Sequence, residues 1–314
     1  MKKFLLLISF KFLLISYVSV DKSNYLEYHI KYNKIEELIV SEHFNEAQIA
    51  FEKLFEEYEV KFVKDYVVAA QVNLLIDKKK NGLKYLKEST KRGIKIECLK
   101  SINLLEEKLN LNDWQILETH KADARKIYLS GIDLKLNQEF HKRYQEEQDA
   151  RSHPKYKEVV YSNFNRIKEL LEEDKFVGEQ RIGIDDQKYA KSISDCGLGN
   201  SKVIVTLLHY DYPISEIGEE KLIKAITKGE LHPREYAYIY NYEVNKISKL
   251  YKKSKKKYEN LPDYKFNFPF GKKIEDIRRV NKDRMKFGIC NYQIDLKKKA
   301  LIKKYGLKLD FNYR

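Results

Sequence analysis

Over most of the chain, apolar positions recur every three or four residues, the spacing of one helix face. Between Asn24 and Arg125 the series Ile35, Leu38, Ile39 is followed by Phe44, Ala47, Phe51, Leu54 and Phe55. The second set predicts an amphipathic helix, in which small Ala47 and Ala50 let a neighbouring helix approach closely. Tyr66, Ala69, Ala70, Asn73 and Leu74, then Gly82-Leu83-x-x-Leu86, predict a further pair, with Gly93 placed to end one of its helices. Asn112-Asp113 offers N-cap chemistry for a third stretch carrying Trp114, Leu117 and Ile127-Tyr128. Trp114 on that apolar face reads as core.

A second region starts near Gly131. Phe140 to Ala150 is polar and helix-forming until Pro154 interrupts it. Asn163 to Leu171 predicts an amphipathic helix with Phe164, Ile167, Leu170 and Leu171 on one face. Val203 to Leu208 is β-branched enough for a strand, but helical surroundings favour a buried helix. Helices are expected near 216–228 and 233–250, with Pro233 at a helix start. Residues 252–272 read as a lysine-rich loop, and Ile274–Phe287 and Tyr292–Tyr305 as two closing helices. The expected class is mostly α: helical-repeat hairpins over 22–130, then a helical domain over 131–314.

The segment Phe44-x-x-Ala47-x-x-x-Phe51 resembles the second helix of a tetratricopeptide repeat. Leu83 follows Ala47 by 36 residues, close to that family's period. No Pro closes either unit, so the resemblance is to a divergent form. Stacked repeats of that kind make a concave surface suited to a protein or peptide partner.

Composition adds an address. Lys2 and Lys3 open the chain, Phe4–Phe10 and Phe12–Val20 are apolar, and Val-Ser-Val precedes Asp21, the order of a signal peptide over residues 1–20. Lys11 interrupts the apolar run and argues against a membrane span. The bland alternative is a buried amphipathic helix. Export places the protein in the periplasm or outside the cell. There an odd set of cysteines, Cys98, Cys196 and Cys290, permits one bridge and one free thiol, although three reduced thiols read equally well. Their spacing fits no metal site.

The formal charge of +14 is concentrated: residues 246–304 hold 20 Lys and Arg against 6 Asp and Glu. Such a region gives at most nonspecific contact with a polyanion, and a solvated lysine face is the simpler account. Export favours another polyanion over nucleic acid as the partner.

Several spaced motifs in the second region resemble an uncharacterised bacterial family of unknown function, whose pattern runs D-Q-x-x-R, Q-H, A-Y-L-x-D-R, Y-G-T-Q and V-N-x-x-R-x-x-x-G-[LI]. Here Glu147-Gln148-Asp149-Ala150-Arg151 stands for the first and Leu208-His209 for the second. Ala237-Tyr238 keeps the third, with Asn241 and Tyr242 in place of its Asp and Arg. Y-G-T-Q has no recognisable counterpart. Val280-Asn281-Lys282-Asp283-Arg284 and Gly288-Ile289 keep the last. The match spans about 140–305 and implies no known activity.

Those residues are also the candidate chemistry. His209, with Glu147 or Asp211 as carboxylate partner, has the makings of a general base; a structural histidine explains the same residues. Arg151 and Arg284 are candidates for holding an anion. Glu147 and Arg151 at i, i+4 also suit a plain helix ion pair. No phosphate loop, nucleophile elbow or metal-binding motif is present, so no cofactor or metal is expected. The first expectation is therefore an exported binding or scaffold protein of the cell envelope. The second is a hydrolase-like enzyme centred on His209, with part of its polar set lost.

Overall fold

The helical period carries through the whole computed structural model, which describes residues 24–184, 198, 201–254, 266, 277–309 and 311. Among the described residues every regular element is a helix. The expected signal segment, Cys196 and most of the 252–272 loop lie outside the described residues.

Four helices build the first hairpins: α1 (Tyr25–Val40), α2 (Phe44–Glu57), α3 (Val63–Leu75) and α4 (Lys79–Lys91). Each packs on the next in chain order. On α1 the buried positions Tyr25, Tyr28, Tyr32, Ile35 and Ile39 fall at helical spacing. Ala47 on α2 is fully buried and Ala50 half-buried against the same core. The α1–α2 and α3–α4 turns share one geometry: Glu42 (φ 61°) and Asp77 (φ 57°) are left-handed. The following amide reaches back five residues in both, His43 to Leu38 and Lys78 to Asn73. α3 is buried on nearly every face and is the centre of this core.

Four shorter helices follow: α5 (Ile96–Lys100), α6 (Asn103–Lys108), α7 (Leu111–Thr119) and α8 (Lys121–Ser130). The α7 cap is Asn110, two residues earlier than Asn112-Asp113 implies. Its side chain accepts from the Asp113 amide at 3.0 Å, and Asp113 accepts from the Asn110 amide at 2.9 Å. Asp113 thus serves as third helical residue of a capping box rather than as the cap. Gly93 (φ 104°) ends α4 as expected, and its missing side chain has a second use. A Cβ there would lie 2.6 Å from the Tyr128 ring, and one on Gly183 (φ 75°) would lie 2.1 Å from the Tyr128 hydroxyl. That hydroxyl donates to the Ile184 carbonyl at 3.0 Å, fastening α8 to the second region.

The second region contains α9 (Leu134–Asp149), a 3-10 turn (Ala150–Ser152), α10 (Tyr156–Glu172), α11 (Glu179–Ile182) and α12 (Lys202–His209). It continues with α13 (Pro213–Ile217), α14 (Glu219–Thr227) and α15 (Pro233–Ser254), then α16 (Ile277–Lys286) and α17 (Tyr292–Tyr305). The Val203–Leu208 run is a helix. It buries Val203, Ile204, Leu207 and Leu208 against α9, α10 and α15, stabilising the region by about 1.5–3 kcal/mol per side chain. The single helix expected over 216–228 is two, because Gly218 (φ 93°) turns the chain out of α13.

The last helix departs from chain order. Leu301, Leu307, Leu309 and Phe311 join the core built by α1–α7. The Leu104 amide donates to the Gly306 carbonyl at 3.1 Å, and Gln71 exchanges two hydrogen bonds with the Lys308 backbone. Where α17 meets α1 and α15, charges are buried together. Lys298 binds Glu36 at 2.6 Å and Asp295 at 3.2 Å, and Arg234 binds Asp295 at 2.6 Å. Cys98 is disulfide-bonded, whereas Cys290 is a free buried thiol within 3.0 Å of Arg234.

Candidate functional site

Three helices converge on one carboxylate. Glu147 lies near the end of α9 and is fully buried. Its Oε2 accepts from Asn163 Nδ2 on α10 at 3.0 Å and from Thr206 Oγ1 on α12 at 3.4 Å. Its Oε1 takes a short hydrogen bond from His209 Nδ1 at the end of α12. A carboxylate only accepts, so the imidazole proton sits on Nδ1 and the lone pair on Nε2. No described residue hydrogen-bonds Nε2, and the His209 side chain keeps 19% of its surface.

Lys246 of α15 fixes the corner. Its ammonium donates to the carbonyls of Leu208, His209 and Tyr210 at 3.0, 3.2 and 2.9 Å, the acceptors that a helix end leaves open. The same ammonium pairs with Asp211 at 3.1 Å and lies 5.0 Å from the Tyr242 ring. Asp211 is exposed and backs Lys246, not His209. Tyr156, at the start of α10, stands with its ring centroid 6.4 Å from that of His209. Burial pushes its phenol above the usual range, helped by the Glu147 charge and opposed by Arg151.

Arg151 is exposed on the turn after α9, five residues before Tyr156. Arg284 does not join them. It is fully buried, its Nε donates to the Cys290 carbonyl at 2.7 Å, its Nη1 to Phe266 at 3.2 Å, and it pairs with Asp295. Burial alone would raise the Asp295 carboxyl; Arg234, Lys298 and Arg284 outweigh it and hold that group well below the usual carboxylate range. Of the two carboxylates expected beside His209, Glu147 is its partner and Asp211 is not. Lys246, Arg284 and Lys298 also show that part of the basic 246–304 stretch is engaged inside the fold.

The sequence reading did not single out Asn163, Thr206, Lys246 or Tyr156. Two of them had a signal. Asn163 is a polar residue on the apolar stripe of α10, and Thr206 lies one turn before His209 on one helix face. Lys246 and Tyr156 had none, because their partners are distant in sequence. Among the described residues no group of three or more His, Cys, Asp or Glu is arranged to hold a metal ion, and no helix is long and apolar enough to cross a membrane. No protein-family model matches the chain, and searches of curated proteins and of solved structures return no match.

Proposed function

We propose that the chain is an exported hydrolase-like enzyme in which His209 is the general base and Glu147 its orienting partner. One observation carries this reading: a fully buried carboxylate behind Nδ1, with Nε2 left open toward solvent. In that arrangement Nε2 takes a proton from water as the water attacks an electrophilic centre. Glu147 stabilises the imidazolium, and Nε2 returns the proton to the leaving group. Proton transfer of this kind contributes about 10²–10⁴-fold in rate. A disulfide at Cys98 supports the exported address, since such bonds persist in oxidising compartments.

Hydrolysis of p-nitrophenyl acetate, p-nitrophenyl phosphate and a p-nitrophenyl glycoside tests the reading. Turnover of at least one is expected. His209→Gln should lower kcat/KM by about 100-fold or more, and Glu147→Gln should lower kcat. Failure to turn over all three, or a His209→Gln protein as active as wild type, rejects it.

A second reading, an envelope binding protein with divergent tetratricopeptide-like hairpins, is favoured by a different feature. A mostly apolar groove of 710 Å³ runs between the Gly93–Glu97 segment and α8, with Ile94, Ile96 and Ala124 in its lining. Its volume is in the range of ligand sites.

A further inference from the structure

The polar groups around His209 sort into two sets. Those behind the imidazole are fully engaged: Glu147 holds three donors, Asn163 also donates to the Arg143 carbonyl at 3.1 Å, and Lys246 holds three carbonyls and Asp211. Those in front of it are not. Among the described residues no salt bridge, hydrogen bond or ring contact engages the Arg151 guanidinium, whereas Arg92, Arg143, Arg166, Arg181, Arg234 and Arg284 are all paired. The Tyr156 hydroxyl has no hydrogen-bond partner among them either, while its ring stands beside His209. Arg151 stands on the 3-10 turn that packs against both α9 and α10, between Glu147 and Tyr156 along the chain, and its charge favours ionisation of the Tyr156 hydroxyl while that of Glu147 opposes it.

The open groups are a guanidinium fork and a phenol O–H, both donors, next to a base. Donors without acceptors complement an oxyanion, and arginine binds carboxylate or phosphate through two parallel N–H bonds. We propose that Arg151 and Tyr156 form an oxyanion-binding subsite beside His209, and that the substrate carries a carboxylate or a phosphate. This rests on the reading of His209 as general base for the word substrate, but not for the binding itself. Arg151 is placed by the 3-10 turn Ala150–Ser152, which directly follows the end of α9, so the chain that seats the buried Glu147 carries the exposed guanidinium on toward the start of α10.

Titration of the full chain with inorganic phosphate and, separately, with benzoate tests this, followed through the His209 and tyrosine resonances. Saturable binding of at least one anion is expected, and which one binds distinguishes a phosphate from a carboxylate substrate. Arg151→Gln should weaken it about tenfold, and Tyr156→Phe by a smaller factor. Arg151→Lys should fall between wild type and Arg151→Gln, because the charge remains and the fork is lost. Anion binding that Arg151→Gln leaves unchanged, or no saturable binding of either anion to the wild type, overturns the subsite. Because Arg151 is exposed, its variants keep the fold, which far-ultraviolet circular dichroism verifies. A chain that binds anions through Arg151 yet hydrolyses no ester, phosphate or glycoside keeps the subsite and loses the catalytic reading. A chain that hydrolyses one of them but binds neither anion does the reverse.

Discussion

His209 stands where a helix end, a buried carboxylate and solvent meet, so its removal should be felt twice. His209→Ala takes one of three donors from Glu147 and leaves a buried carboxylate short of a partner, a loss of about 1–3 kcal/mol in thermal melts. An unchanged melting temperature would mean that water replaces the imidazole at no cost. Arg284 is the contrasting residue. With no exposed surface and a buried carboxylate opposite, Arg284→Met should cost about 3–5 kcal/mol while leaving anion binding at Arg151 intact. A stable Arg284→Met protein would contradict this. In the sequence these arginines looked alike, each a motif arginine near carboxylates. Burial alone separates them, and burial at 284 is made by Asp295, Cys290 and Phe266, whose convergence no local pattern announces. Glu147 and His209 were both legible as candidates, but their pairing across α9 and α12 was not.

At the scale of elements, spacing alone was a good guide where one face is apolar and both ends are punctuated. α17 follows that rule over Tyr292–Tyr305, and Pro233 opens α15 as its fixed φ favours, whereas α10 begins at Tyr156, seven residues before the expected Asn163, and α12 was read as a helix from its surroundings rather than its spacing. Boundaries moved where a single backbone angle decides, as at Gly218, or where a cap two residues upstream completes a better box, as at Asn110. α2 permits a direct test of packing. Ala47 has no exposed surface, so Ala47→Leu should overpack the first core and cost about 1–3 kcal/mol in a denaturant titration. A variant as stable as wild type would show that the neighbouring helices yield to the added volume.

For the whole molecule the buried titratable groups set a pH profile. His29 and His232 lie 5.0 Å apart between ring centroids, with Phe62 against both. Burial, reinforced by Lys64, holds both well below the usual 6.5; His232 also feels His29, Arg234 and Lys298. Their folded-state pKa values are depressed, so the unfolded chain binds the extra protons. The stability they allow is present above about pH 6.5 and is lost as pH falls. Glu235 works in the opposite sense. Burial, with the Glu179 charge, pushes its carboxyl from 4.5 up to about 8, against a hydrogen bond from the His232 amide. It is protonated in the fold and ionised in the unfolded chain, so stability is full below pH 4.5 and declines toward pH 8. Burial also raises the Glu243 carboxyl, against hydrogen bonds from Ser215 and the Ile214 and Ser215 amides, so two histidines oppose two glutamates and the maximum falls at or below about pH 6.5, the midpoint of the unfolded imidazoles. Denaturant titrations from acid to alkaline pH should find that maximum, and Glu235→Gln should make the alkaline decline shallower. A profile flat across neutrality would remove both groups from the account.

The seating of α17 on the first core also fixes an order of events. Lys298 and its partner Glu36 are 262 positions apart, and the core of α1–α7 is not closed until residues 292–311 are present. As synthesis proceeds, the hairpins of the first hundred residues can form helices, but one wall of their core has not yet been made. Native closure therefore waits for contacts of long sequence separation, which are slow to find because the intervening chain must first be drawn together. Once made, those contacts knit the ends of the described chain into one cooperative unit. A loss at α17 would then propagate to α1, far away in sequence and next door in space.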